Sequence, residues 1–182
     1  QAEVERLAEA DHLLDDLPLL VDLDGVDAAV SALILMLGDG PGEMELWCDF
    51  EERYNAQFKG WRHWFHFMER LKALLHNKKL GVYTGYFYWL EFAAGIPYFS
   101  QYPLWIAAYN TEAPRVPPIW DDWTYWQFTD NGDGTLFGVE SKNIDLNYFN
   151  GDIDALRARF GLSDTPLPEP LPPSKFYRVT VS

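Results

Sequence analysis

Between residues 18 and 86 the chain alternates short apolar runs with segments of helical period, and this alternation restricts its fold more than any other feature. PLLVDLD (18–24) reads as a buried strand broken by Gly25, and VDAAVSALILML (26–37) as an apolar helix stopped at GDGPG (38–42). MELWCDF (44–50) is a second strand, followed by GWRHWFHFMERLKALLHNKK (60–79), an amphipathic helix whose basic last turn suits the helix dipole. LGVYTGY (80–86) is a third strand. Strands that alternate with helices predict a parallel sheet, and such sheets are covered on both faces. In parallel α/β folds the functional groups gather at the C-terminal ends of the strands.

The second half is less regular. A looser aromatic stretch leads to PLWIAAY (103–109), a fourth strand, and a proline-rich loop, EAPRVPP (112–118), leads to WTYWQFT (123–129). NGDG (131–134) makes a turn, NIDLNYF (143–149) is the last strand, and GDIDALRARFG (151–161) is a short helix capped by Gly161. At the other end, Val4, Leu7, Ala8, Leu13 and Leu14 fall on helical spacing over residues 2–16. These elements are expected to form one domain over 1–163, with a stiff proline-rich linker at 164–174. The chain opens at Gln1 without Met, and KFYRVTVS (175–182) reads as a strand with nothing to pair with, so a piece of a longer protein is expected.

The formal net charge of −14 argues against nucleic acid, whose phosphates call for a basic surface, and against anionic lipid. No run of about twenty apolar residues is present to span a membrane. The single Cys48 excludes an internal disulfide framework and reads as a buried, inert thiol. His12, His63, His66 and His76 lie in predicted helices, form no ligand set and read as surface or boundary residues, so neither a metal nor another cofactor is expected. In DNGDGT (130–135) the Asp residues miss the calcium-loop spacing, and a tight turn is preferred.

Asp49 and Glu51 end an otherwise apolar strand. Residues two apart on a strand point the same way, with Cα atoms about 6.5–7 Å apart, so both carboxylates face one cavity mouth. Each raises the other's cost of ionising, and one of such a pair can remain protonated as a general acid. A pair of solvated carboxylates opening a helix would read the same way. Asp22 and Asp24 share the spacing, but Asp24 before Gly25 suits a cap or turn. Asp145 is alone on its strand, where a turn-stabilising role competes with a catalytic one. Tyr83, Tyr109 and Trp126 sit near the ends of their strands. With aromatics at 16% of the chain, they suit either core packing or the walls of a sugar cleft.

Taken in series, LWCDFE, VYTGYFYW, YPLWIAAYN, WTYWQFTD and NIDLNYF resemble the strand motifs of glycoside hydrolase family 25, the lysozymes of bacteria and phage endolysins. The resemblance covers residues 44–150 and singles out Asp49–Glu51, which alone stands before the YTG strand. It implies a modified (β/α) barrel of TIM type that cleaves the β-1,4 bond between N-acetylmuramic acid and N-acetylglucosamine. Glu51 would be the general acid, and Asp49 would stabilise the transition state, by orienting the substrate's 2-acetamido group or otherwise. Asp145 would match the late Asp of the family's D-x-N strand, with Tyr83, Tyr109 and Trp126 lining the glycan groove. Peptidoglycan strands are the implied partner, and a monomer acting on the cell wall, secreted or phage-encoded, the implied setting. The sequence departs from the family where its first two strands, one with a further active-site Asp, find no counterpart. The tail at 175–182 resembles the opening strand of an SH3-like wall-binding module. Two other readings are a non-catalytic glycan-binding barrel and a hydrolase of another N-acetylhexosamine polymer such as chitin.

Overall fold

The computed structural model describes residues 25–38, 44–52, 58, 60–139 and 141–162. The expected helix at 2–16, the strand at 18–24 with Asp22 and Asp24, and the linker and tail beyond residue 162 lie outside the described residues. The described part divides after Asn150 into two compact units. The first is a mixed α/β unit built on one sheet of order β1-β2-β3-β4-β5, curled into a half-barrel.

Its elements follow the alternation of the sequence. Helix α1 (Val26–Leu37) leads to β1 (Leu46–Asp49), α2 (Trp61–Leu74) to β2 (Leu80–Gly85), and α3 (Tyr86–Ala93) with a 3-10 turn (Pro97–Gln101) to β3 (Leu104–Ala107). β4 (Tyr125–Gly132) and β5 (Ile144–Phe149) complete the sheet. β1 to β4 are parallel, whereas β5 returns antiparallel to β4, with register shifts after Gln127 and Thr129. In the second unit, α4 (Ile153–Arg159) is capped by Asp152, whose carboxylate accepts the Ala155 N–H at 2.8 Å.

Besides the reversal of β5, and in place of the expected turn at 131–134 a β4 that runs on to Gly132 with a 3-10 turn at Gly134–Phe137 after it, three features differ from the expectation. The aromatic stretch after β2 is helical: YFYWLEFA has modest helix propensity, but Trp89 and Ala93, four apart, are both buried and packing decides. Helix α2 ends at Leu74, so Lys78 and Lys79 belong to the turn before β2. His63 and His66 are buried rather than at the surface. His63 packs on Phe58 and His66 on Phe65, and burial holds the His66 imidazole below its usual pKa.

The two faces of the sheet are filled differently. On the helix-covered face Cys48, Val82, Leu104 and Ile106 are buried, and Phe50 stacks on Trp64 with ring centroids 4.6 Å apart and an interplanar angle of 8°. The ring column continues through Trp89, 5.5 Å from Trp64, to Trp120, 4.6 Å further on. On the concave face Trp47 meets Trp105 edge-on at 5.5 Å and Tyr125 at 5.3 Å, two and three strands away. It reaches them by lying over Gly81, its partner in register: a Cβ there would stand 2.5 Å from the indole.

That contact gives a test. Gly81→Ala forces the Trp47 ring off Trp105 and Tyr125, which is expected to lower stability by about 1–3 kcal/mol. Urea unfolding measures the loss and near-UV circular dichroism the disturbed indoles. An unchanged midpoint would mean that the ring finds an equally good position.

Candidate active site

The concave face carries the site because strand parity sends alternate residues there. Asp49 stands opposite Tyr83 in the β1–β2 register, at the C-terminal end of β1. Phe50 turns the other way and is 2% exposed. Its backbone is gripped by β2 at both ends: its N–H donates to Tyr83 O at 2.8 Å, and its C=O accepts the buried Thr84 hydroxyl at 2.7 Å. Asp49 and Glu51 therefore flank a fixed residue, and both are exposed to solvent.

Tyr83 links the strands across the site. Its hydroxyl donates to Oε1 of Gln127 on β4, spanning β3. Ala107, in register with Gln127, is the β3 residue at that level, and its small side chain leaves the path open. Gln127 is 4% exposed and stands opposite Asn147 of β5, whose Oδ1 accepts the Trp105 indole N–H at 2.8 Å. Asp145 lies two residues before Asn147 on β5 and so shares its face. β5 runs antiparallel, which puts Asp145 nearer the rim where β1 to β4 end. Tyr109, just past the end of β3, is 41% exposed. Its hydroxyl is a hydrogen-bond neighbour of the Tyr83 hydroxyl and feels the charges of Asp130, Asp145 and Glu51.

The carboxylates shape the protonation of this rim. Partial burial first, and then the charges of Glu51 and Glu52, push the Asp49 carboxyl up to about 6. Burial, together with Glu51, Tyr109 and Asp49, pushes the Tyr83 phenol well above its usual range, so it remains a neutral donor. Cys48, facing the helices, is pushed up to about 12 by burial and by Asp49, which makes it an inert thiol.

Of the residues expected at the site, Asp49, Glu51, Tyr83, Tyr109 and Asp145 share one face or its rim. Trp126 does not. It pairs with Ile106 and Tyr148 on the opposite face, is 8% exposed, and donates its indole N–H to Ala108 O at 2.8 Å. The neighbouring residue, Gln127, takes the cleft position. Trp47, Trp105, Tyr125 and Asn147 also line the concave face, and period-2 counting from Asp49 and Gln127 would have found them. A cavity of about 560 Å³ beside β1, between α1 and α2, reaches Asp49 but is lined chiefly by Val26, Leu33, Leu46, Phe58 and Phe67. That lining offers few of the hydrogen-bonding groups a polar ligand needs.

The arrangement is an acidic rim of three carboxylates, joined by two tyrosines and a glutamine, above a half-buried aromatic floor. Residues 36–135 match the model for Glycosyl hydrolases family 25. The chain is 31% identical over 148 residues to the protein YegX of Escherichia coli K12, covering 78% of this chain and 50% of that protein. It is 36% identical over 59 residues to Lysozyme M1 of Streptomyces globisporus, covering 32% of this chain and 19% of that one. Among solved structures, the Clostridium perfringens spore cortex lytic enzyme SleM superposes with a TM-score of 0.57 at 28% identity, over 74% of this chain and 47% of that one. The chain thus spans about half the length of the curated relatives it matches most extensively. With more than half of its residues matched by the family model, this chain belongs to glycosyl hydrolase family 25.

Proposed function

We propose that this chain carries the carboxylates of a peptidoglycan hydrolase that cleaves the β-1,4 bond between N-acetylmuramic acid and N-acetylglucosamine. The observation that carries the reading is the Asp49–Phe50–Glu51 unit, two carboxylates held on either side of a residue clamped by β2. Breaking a glycosidic bond requires a proton for the leaving oxygen and a second group that supports the positive charge growing on the sugar ring. Family membership, a lysozyme among the relatives and a cortex-lytic enzyme among the structural neighbours support cell-wall glycan as the substrate.

Glu51 is the general acid in this reading. Asp49, with its pKa near 6, hydrogen-bonds the 2-acetamido N–H and aligns that group against the anomeric carbon. Asp145 adds negative potential on the far side of the cleft. Tyr109 donates to sugar oxygens, while the Tyr83 hydroxyl, whose single O–H is directed at Gln127, accepts from a sugar hydroxyl. The floor of Trp47, Trp105 and Tyr125 supplies apolar surface beneath the rim.

Two outcomes are expected. Glu51→Gln should reduce release of reducing ends from purified sacculi by about 10²–10⁴-fold, the range a general acid contributes. The new ends should be muramic acid, detected after borohydride reduction. New ends of N-acetylglucosamine would sink the bond assignment, and sacculi bound without any new ends would favour a binding role.

The second concerns stability. The folded chain holds a proton on Asp49 up to about pH 6, whereas the unfolded carboxyl releases it near pH 4. Stability from this group is therefore fully present below about pH 4 and is lost as the pH rises through 6. Asp49→Asn cannot pay that cost of ionisation, so its melting temperature should exceed the parent's at pH 7 and match it at pH 4. A gap independent of pH would show that the carboxyl is not strained by its surroundings.

A further inference from the structure

We propose that Arg115 and Phe87 form a second subsite on the same rim, one that takes a carboxylate of the peptide stem attached to the glycan. The inference rests on the peptidoglycan reading above and adds the part of the polymer it leaves unaddressed.

Both residues lie in the segments that follow the strands bearing the site tyrosines. Phe87 is the second residue of α3, which follows β2 directly, and Arg115 belongs to the segment that leaves β3 through Tyr109. Tyr86 is three residues from Tyr83, so their Cα atoms are at most about 11 Å apart. The Arg115 guanidinium sits 5.9 Å from the ring centroids of both Tyr86 and Phe87. Phe87 is 72% exposed, so its ring is open to a ligand.

The segment that presents Arg115 is built rather than loose. Asn110 takes a left-handed conformation with φ of 55°, and the Thr111 hydroxyl donates to Ala113 O at 2.9 Å. Pro117 is fully buried, and Trp120 ties the far end by donating its indole N–H to Tyr102 O at 2.8 Å. The guanidinium is thus pre-positioned between a rigid segment and two rings. The rings attract its charge but accept none of its in-plane N–H bonds. Among the described residues, the ion pairs are Arg70–Asp27, Lys72–Glu69 and Arg157–Asp154, and none uses Arg115.

A planar guanidinium with free donors matches a carboxylate bidentately, which a sugar hydroxyl cannot reproduce. Peptide stems on muramic acid carry free carboxylates, and a chain of net charge −14 repels an acidic polymer. A fixed cation at the edge of the acidic rim offsets that repulsion locally. Phe87, standing beside it, offers apolar surface to the neighbouring stem side chains.

The test compares intact sacculi with sacculi stripped of their stems by an amidase, using the full chain and measuring cosedimentation and release of reducing ends. The parent should bind intact sacculi about tenfold more tightly than stripped ones, a preference that shrinks as salt is raised. Arg115→Gln should abolish the preference while leaving binding to stripped glycan unchanged, and Arg115→Lys should restore it only in part. Phe87→Ala should resemble Arg115→Gln. A parent that handles both polymers equally, or an Arg115→Gln chain that keeps the preference or weakens on both, overturns the subsite and leaves the glycan reading standing. A parent that neither binds nor cleaves either polymer overturns both.

Discussion

The clamp on Phe50 is the contact on which the site depends. A strand end carrying two acidic residues would ordinarily fray, because each carboxylate gains by moving into water and away from the other. Here the residue between them cannot move. Its N–H and C=O are both bonded to β2, and its ring lies flat on Trp64 inside the aromatic column. Burying a phenylalanine is worth roughly 1.5–3 kcal/mol, and each hydrogen bond adds about 1 kcal/mol net. This is enough to hold Asp49 in a position where its ionisation is disfavoured. The electrostatic strain at the rim is thus balanced by packing on the opposite face, one residue away.

The same division of labour runs through the sheet. On the helix-covered face aromatic rings meet aromatic rings and exclude water. On the concave face two of the rings carry polar tips that find partners on other strands, Tyr83 with Gln127 and Trp105 with Asn147. These bonds cross from β2 to β4 and from β3 to β5, so they couple strands that are not neighbours in the ladder. Small residues make the crossings possible: Gly81 beneath Trp47 and Ala107 below the Tyr83–Gln127 bond. The result is a curved surface whose rigidity comes from side chains as well as from the backbone ladder.

Most of this architecture was legible in the sequence because period is a strong signal. The strand–helix alternation marks β1 to β3, and the carboxylate pair is visible from its i, i+2 spacing alone. What was not legible has a physical reason in each case. Helix α3 is written almost wholly in aromatics, whose local preference is weak, so burial of Trp89 and Ala93 had to decide it. The reversal of β5 depends on pairing with β4, which no local pattern encodes. Trp126 and Gln127 illustrate the limit most clearly. Both lie at the right height on the strand, and only the register with Ile106 and Ala107 says which faces the cleft. Large aromatics draw attention as sugar platforms, yet parity assigned the cleft to the smaller, polar neighbour.

The charge distribution supplies a further constraint. Asp49, Glu51 and Asp145 lie on or beside a concave face, in a protein already strongly acidic. Such a rim repels anions and stabilises positive charge, so a substrate that develops positive charge during reaction is favoured over one that begins negative. A neutral glycan backbone meets that condition, since its sugar ring becomes cationic only as the bond breaks. Acidic appendages do not, and they would be pushed from the cleft unless met by a cation beyond it. On the proposed peptidoglycan reading, a field that would assist bond cleavage calls for somewhere else for the polymer's own carboxylates to go, and of the groups on the segments leaving β2 and β3, Arg115 is the one equipped to receive them.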